Sequence, residues 1–408
     1  MDRVLVIGGG AAGLMAAIYA AEEGAFVTLW EGGEEPGKKI LATGNGRCNF
    51  TNLSLGAAQF RSGHPSLLKP LLATFSPEDA VAFFRRLGVG SQVRNGYVYP
   101  RSGQAASIRD ALVWRARELS VQVVCGRKVE AIRRTDRGFQ VQAGAHRMTA
   151  AAVVLAAGGK AAPATGSDGS GYRLAGALGH SLETVAPALV PLSAKGFPFR
   201  KAAGVRTQAR VSLLVQDQFQ AADTGEVQLT EFGVSGIPAF QVSRFASRAL
   251  AEGKRAELRL DFFPEETEET LRTQWRQRRQ AHPSWRSGDF LNGLLPRKLA
   301  EALLSCAGIS LEDTWEQLPE KKMERLLALC KGLPAEVTGT KGFGAAQACA
   351  GGVPLTEVDA SLESRLVPGF FLAGEILDVD GICGGYNLHW AWTSGRLAGR
   401  GAARHVVR

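Results

Sequence analysis

The chain is 408 residues long, 45% hydrophobic and 21% charged, with a formal net charge of +9. This composition excludes a disordered or fibrous chain and leaves room for two or three globular domains. The six cysteines (Cys48, Cys125, Cys306, Cys330, Cys349, Cys383) form no C-x-x-C pair and the six histidines show no ligand spacing, which argues against structural zinc and for a reduced, cytoplasmic compartment.

The first element is an apolar run, Val4–Ile7, read as a buried parallel strand. It turns through Gly8, Gly10 and Gly13 into an Ala-rich helix, Ala11 to Glu23. A second apolar run, Ala25 to Trp30, ends at Glu31. This is a dinucleotide-binding βαβ pattern, G-x-G-x-x-G with an acid about 20 residues on. Gly8 allows the tight turn. Gly10 lets the backbone approach a pyrophosphate, and Gly13 lets helix and strand pack closely. The helix N-terminus offers N–H groups to phosphate. Glu31 would accept hydrogen bonds from ribose hydroxyls, and its charge would repel a 2′-phosphate. Val4 to Ala21 is 18 residues without a charge, but its four glycines argue against a membrane span or signal segment.

A loop from Pro36 to Asn52 follows, with Lys38, Asn45, Gly46, Arg47 and Cys48 as candidate cofactor contacts. Its backbone N–H groups, amides and guanidinium suit an extended phosphate-and-sugar ligand. Helical patterns come next at Pro77–Leu87 and Ser107–Leu119. Val121–Cys125, Val129–Arg133 and Phe139–Ala143 read as strands. The run Val153–Ala157 fits a central parallel strand opening onto a ligand crevice, with Ala157 and Gly158 at its end. Asp168, in the glycine-rich turn after it, reads first as a helix cap.

From about Leu189 to Gly344 the pattern changes. Ala209–Val215 and Glu257–Phe262 suggest antiparallel strands. Glu265–Arg279, Leu299–Ala307 and Lys321–Leu329 suggest helices. The stretch Arg272–Lys298 interleaves Arg276, Arg278, Arg279, Arg286 and Arg297 with Trp275 and Trp285. A solvated arginine-rich face is the preferred reading, over a nucleic-acid surface. Strand-plus-glycine style returns at Gly369–Glu375, and a last helix runs from Tyr386 to about Arg400. In this segment Gly374, Glu375, Gly385, Tyr386 and Asn387 are candidate contacts. Glu375 would hold ribityl hydroxyls. Gly384-Gly385, entering a helix, would set a positive dipole end against a flavin ring edge. The fold class is therefore α/β: a two-segment Rossmann-like domain, 1–188 and 345–408, that binds FAD, with an inserted β-rich and helical domain at 189–344.

The segments Lys38–Asn52, Thr165–His180, Thr230–Pro238 and Gly374–Gly399 resemble the BaiN-like family of NAD(P)/FAD-dependent oxidoreductases, also called the aminoacetone oxidase family. Its sharpest marks here are Thr43–Asn49 and Gly384–Leu388. The resemblance implies FAD contacts at Gly8, Gly10, Ala11, Ala12, Gly13, Glu31, Lys38, Arg47, Val129, Gly374, Glu375 and Asn387. It also implies reduction of a conjugated carbon–carbon double bond in a steroid-like bile-acid intermediate. His389 stands where the resemblance leads one to expect Gln.

Cys48 and Cys383 read as packed cysteines rather than redox partners of a flavin. Tyr97 and Tyr99 fit a proton donor or a hairpin pair equally. Glu231 and Ser235 read as turn residues, and His389, Trp390 and Trp392 as helix packing. No catalytic acid or base and no metal ligand is assigned. The leading expectation is hydride transfer from reduced FAD to an activated double bond of a small molecule. NAD(P)H is a transient donor, with no membrane or nucleic-acid partner. Two alternatives stay open: an oxidase of a small amine or hydroxy compound, and a flavin-containing nucleic-acid-binding or modifying protein.

Overall fold

Val4, Leu5 and Val6 have no polar side chain to solvate, and in the computed structural model, which describes residues 3–407, they are fully buried. They lie in strand β1 (Arg3–Ile7), which leads into helix α1 (Ala11–Glu22) and strand β2 (Phe26–Trp30). Strands β3 (Gln122–Val124), β4 (Ala152–Leu155) and β5 (Phe370–Leu372) complete a five-stranded sheet in the order β5-β4-β1-β2-β3. Every pairing in it is parallel. The expected two-segment Rossmann-like sheet is therefore present: β5 arrives from the far end of the chain and pairs with β4.

The register sets up one edge of this sheet. Ile7 lies opposite both Trp30 and Leu155, and Leu155 lies opposite Leu372. Gly8, Glu31, Ala156 and Ala373, which follow these residues, therefore emerge at the same level. The chain leaves β1 toward β2 on one side, while β4 sits on the other. The crevice at such a reversal of strand order is where open α/β sheets bind ligands.

The last helix, α2 (Tyr386–Val407), runs past Arg400 and packs directly on α1. Small residues make this possible. A Cβ on Gly395 would come within 2.4 Å of the Ala12 carbonyl oxygen, and one on Gly399 within 2.3 Å of that of Ala16. Helices form at Pro77–Arg86 and Ala105–Glu118, close to the sequence pattern. Ser76 and Asp79 close a capping box at the first of them. Three antiparallel strands, Ala131–Thr135, Gly138–Ala143 and His146–Ala150, form a separate small sheet. The last of these is too polar to announce itself.

The chain divides into two compact units: residues up to Val185 with those from Gln347 onward, and Ala186–Ala346. The second unit contains a closed antiparallel barrel. Its strands, in spatial order, are Leu192–Lys195, Gly233–Gly236, Gln218–Thr230, Arg206–Val215, Ala256–Asp261 and Leu333–Thr340. Helix Ile237–Ala251 buries Ala239, Val242 and Ala246 in the barrel's core. Helices Glu268–Ala281, Arg297–Ala307 and Glu320–Gly332 add Leu271, Trp275, Leu303 and Leu326 to that same core. No helix among the described residues is long and apolar enough to cross a membrane.

Candidate active site

A cavity of about 740 Å³ opens at the C-terminal edge of the parallel sheet, and all its lining residues belong to the first unit. Gly8 has φ +99°, and a Cβ there would lie 2.5 Å from the Ala156 carbonyl oxygen. A Cβ on Gly13 would lie 1.8 Å from the Gly8 carbonyl oxygen. These two glycines let turn, helix and neighbouring strand close on each other. Gly10 differs: a Cβ there would meet nothing within 4 Å. It faces the open cavity, so whatever fills that space can approach its backbone.

Glu31 is held at the end of β2 by two backbone amides. Gly9 N donates to Oε2 and Gly33 N to Oε1, each at 2.6 Å. A carboxylate has room for about four such bonds, so acceptor capacity remains. Beside it runs the segment after β3, where Arg127 N donates to the Glu31 carbonyl at 2.8 Å. Lys128 pairs with Asp168 at 2.5 Å, and Asp168 also accepts from Ser170 N at 3.0 Å. Burial works to raise the Asp168 carboxyl, but the bonds from Lys128 and Ser170 hold it down at about 2. Asp168 is not the cap that the sequence suggests: Gly169 holds the N-cap position of helix Ser170–Ala177, and Asp168, one residue earlier, bonds the first helical amide and pairs with Lys128.

The far wall comes from the C-terminal segment. Trp390 Nε1 donates to the Gly374 carbonyl at 3.1 Å, and Gly374 N donates to Ser394 Oγ at 2.9 Å. Helix α2 thereby grips the peptide that follows β5. Asn387 clamps Gly381: its Oδ1 accepts from Gly381 N and its Nδ2 donates to Gly381 O, both at 2.8 Å. Glu375 accepts from Lys39 Nζ at 2.7 Å and from Cys349 N at 2.7 Å.

Of the residues singled out in the sequence, Gly8, Gly10, Ala11, Ala12, Glu31, Lys38, Val129, Ala157, Gly158, Gly374, Glu375 and Asn387 line this cavity. Gly13 lies behind Gly8. Asn45, Gly46 and Arg47 are exposed on a turn containing left-handed residues, away from the lining. Cys48 is fully buried beneath that turn, and burial pushes its thiol up to about 12. Gly385 and Tyr386 open α2; a Cβ on Gly385 would lie 2.8 Å from Asn49 Oδ1, and Tyr386 packs edge-on against Phe60. Sequence reasoning missed Lys39, Arg127, Lys128, Ser167 and Trp390 as lining residues. The doubled Lys38-Lys39 within the Pro36–Asn52 loop was the available signal for the first.

The other candidates take structural places. Tyr97 and Tyr99 sit in a hairpin strand paired with Ser91–Arg94. Thr230 Oγ1 donates to the Gly233 carbonyl at 3.1 Å across the turn that holds Glu231. His389 is fully buried, with Nδ1 2.8 Å from Thr51 Oγ1 and Nε2 2.8 Å from the Phe75 carbonyl oxygen. Desolvation lowers its pKa to about 4, so the ring is neutral. A carbonyl can only accept, which makes Nε2 the donor and Nδ1 the acceptor from Thr51. Trp392 donates to the Phe50 carbonyl at 2.8 Å, so these residues do pack the last helix.

The arginine-rich stretch lies in the second unit, and its arginines are already partnered. Arg272 binds Glu324 at 2.9 Å and Glu268 at 2.7 Å. Arg276 binds Glu320 at 3.0 Å, Arg286 binds Glu312, and Arg297 binds Glu301 at 2.8 Å. Arg279 donates to the Glu316 and Leu318 carbonyls at 2.9 and 3.0 Å.

Residues 2–401 match the family model described as HI0933-like protein Rossmann domain. The chain is 45% identical over 406 residues, 99% of each chain, to a 3-dehydro-bile acid delta(4,6)-reductase of Clostridium scindens. It is 28% identical over 397 residues, 97% of this chain and 96% of the other, to a ribosomal RNA dihydrouridine synthase of Escherichia coli. The open conformation of a flavocytochrome c3 fumarate reductase shares the fold, with a TM-score of 0.52 at 17% identity, over 100% of this chain and 79% of that one. The chain belongs to the HI0933-like family and is a flavin-dependent oxidoreductase. The resemblance drawn from Thr43–Asn49 and Gly384–Leu388 is borne out.

Proposed function

We propose that the chain is an FAD-dependent reductase of a carbon–carbon double bond conjugated to a carbonyl, with a steroid-like small molecule as substrate and NAD(P)H as transient donor. The observation that carries the cofactor is the cavity at the end of β1: open space over Gly10 beside a carboxylate fixed at the end of β2. Its volume falls within the range of small-molecule sites, about 300–1,000 Å³. One end has the donor set for an adenosine diphosphate group and the other has the Gly374–Asn387 wall, so a dinucleotide fits better than a mononucleotide.

Bound FAD would supply the hydride that a conjugated double bond accepts. The protein's part is binding and orientation. Glu31 would accept from ribose hydroxyls, and the N-terminus of α1 would face the pyrophosphate. The clamps of Asn387 on Gly381 and of Trp390 and Ser394 on Gly374 would keep the far wall in place for the ring. The sequence carries one G-x-G-x-x-G unit, so a nicotinamide donor would have to visit the flavin transiently.

The steroid-like substrate rests on 45% identity across the chain to the bile-acid reductase. Making dihydrouridine also reduces a double bond conjugated to a carbonyl, so the two named relatives share a reaction class and differ in substrate. An RNA substrate would call for free cations, and the arginine-rich stretch has committed its arginines to carboxylates and carbonyls. The test is a pair of anaerobic half-reactions. NADH or NADPH should bleach the flavin, and a 4-en-3-one or 4,6-dien-3-one steroid should restore its colour with reduced steroid formed. Reoxidation by unmodified ribosomal RNA but not by enones would transfer the reading to the nucleic-acid alternative. Fast reoxidation by oxygen alone, with peroxide, would transfer it to the oxidase.

A further inference from the structure

Three walls of the cavity meet at one side chain. Lys39 lies in the short helix Lys38–Ala42 that follows β2. Its Nζ donates to Glu375 Oε2 at 2.7 Å and to the Ala161 carbonyl at 3.2 Å. Glu375 follows β5 and Ala161 follows β4, so one ammonium ties together segments from three strands. Glu375 is fixed from its other side: Cys349 N donates to Oε1 at 2.7 Å, and Gly159 N reaches Oε2 at 3.4 Å. Tyr172 Oη adds a bond to the Glu375 carbonyl at 3.3 Å.

The pair is more than a surface ion pair. Both side chains line the cavity, and they are 29% and 20% exposed. An ammonium has three donors, and two are used here; a carboxylate offers about four acceptor sites, and three are used. One donor and one acceptor site remain for whatever occupies the cavity. The pair also shares no partner with Glu31, whose carboxylate is held by Gly9 and Gly33. The adenosine end and the Lys39–Glu375 end are thus separate hydrogen-bond clusters.

We propose that Lys39 is a binding residue for the flavin-bearing half of the cofactor. It donates its third N–H to a ligand oxygen and holds Glu375 so that the carboxylate accepts from a ligand hydroxyl. This rests on FAD occupying the cavity. The neighbouring Lys38 is exposed, whereas Lys39 is committed to the cavity wall.

The experiment titrates flavin-stripped, full-length protein separately with FAD and with ADP, and follows thermal unfolding of each variant. Lys39→Met removes the charge and all donors. Lys39→Gln keeps polar packing on a shorter stem and covers the case in which the first variant does not fold. Each folded variant should bind FAD about tenfold more weakly, the loss expected for one charge-assisted hydrogen bond, and should bind ADP within about twofold of wild type. Unchanged FAD affinity in both variants overturns the proposal. So does an equal loss for FAD and ADP, which would mean general collapse of the cavity. A wild-type protein that binds ADP but not FAD would defeat the cofactor reading itself, and this proposal with it.

Discussion

Two regions of this molecule pair cations with carboxylates, and they use those pairs differently. In the second unit the arginines of helix Glu268–Ala281 meet glutamates on a neighbouring helix, as in Arg276–Glu320, where the side chains are 58% and 54% exposed. Those pairs decorate a surface, and pairs of that kind contribute little to stability. In the first unit Lys39 and Lys128 join segments that follow different strands, at the wall of a cavity. The same kind of ion pair therefore gives a solvated face in one place and a candidate binding wall in the other. What separates them is the geometry of the partners, not the number of basic residues.

The comparison breaks most visibly at the strand–helix turn. Gly13→Ala would drive a methyl into the Gly8 carbonyl, and overpacking against backbone costs on the order of 3 kcal/mol. A marked fall in melting temperature is expected, with flavin lost as a consequence. An unchanged melting temperature would mean that the turn is looser than described.

The buried His389 gives a pH effect of similar size. Its folded pKa, about 4, lies below the ordinary value of 6.5. A base with a depressed pKa takes up its proton more readily in the unfolded chain, so its contribution is complete above pH 6.5 and is lost as the pH falls through 4. The loss amounts to roughly 3 kcal/mol. His389→Gln can keep both bonds, to Thr51 and to the Phe75 carbonyl, without titrating. Melting curves of the variant should be flatter than wild type between pH 6.5 and 4; identical acid slopes would place the sensitivity elsewhere.

A smaller effect is expected at the adenosine end. Glu31→Ala should weaken FAD binding by about 1–3 kcal/mol, the loss of charge-assisted bonds. Part of this comes from freeing Gly9 N and Gly33 N, so ADP and FAD affinity should fall together, in contrast to the Lys39 variants. FAD titration checks it, and wild-type affinity would move the ribose away from β2.

The smallest effect belongs to the arginine-rich face. Arg276→Gln should lower the melting temperature by no more than about 2 °C and leave RNA retention as in wild type. A loss of salt-sensitive RNA binding in this variant would show that the face works in recognition.

What could be read in the sequence follows the same division. The β1–α1–β2 unit was legible because its information is local: Gly8, Gly10, Gly13 and Glu31 lie within 24 residues of one another. The presence of β4 and β5, though not their order in the sheet, was legible from apolar runs ending in glycine. Barrel closure was not, because it depends on pairing Leu192 with Thr340, and nothing near either residue signals it. Lys39 was passed over for Lys38 because only the fold brings Glu375 to it from 336 residues away. The pairing of Arg272 with Glu324 is likewise invisible to composition, which counts both but joins neither.

The most direct test of the central claim is an FAD titration of wild type and Gly10→Val with melting temperatures measured alongside. A Cβ at Gly10 meets nothing within 4 Å beyond its chain neighbours, so the substitution should leave the apoprotein folded, at the cost of a poorer N-cap residue for α1, while its side chain fills the space proposed for the pyrophosphate. The account predicts one FAD per wild-type chain and no detectable binding by the folded variant. Equal FAD binding by both proteins would contradict it and put the cofactor elsewhere.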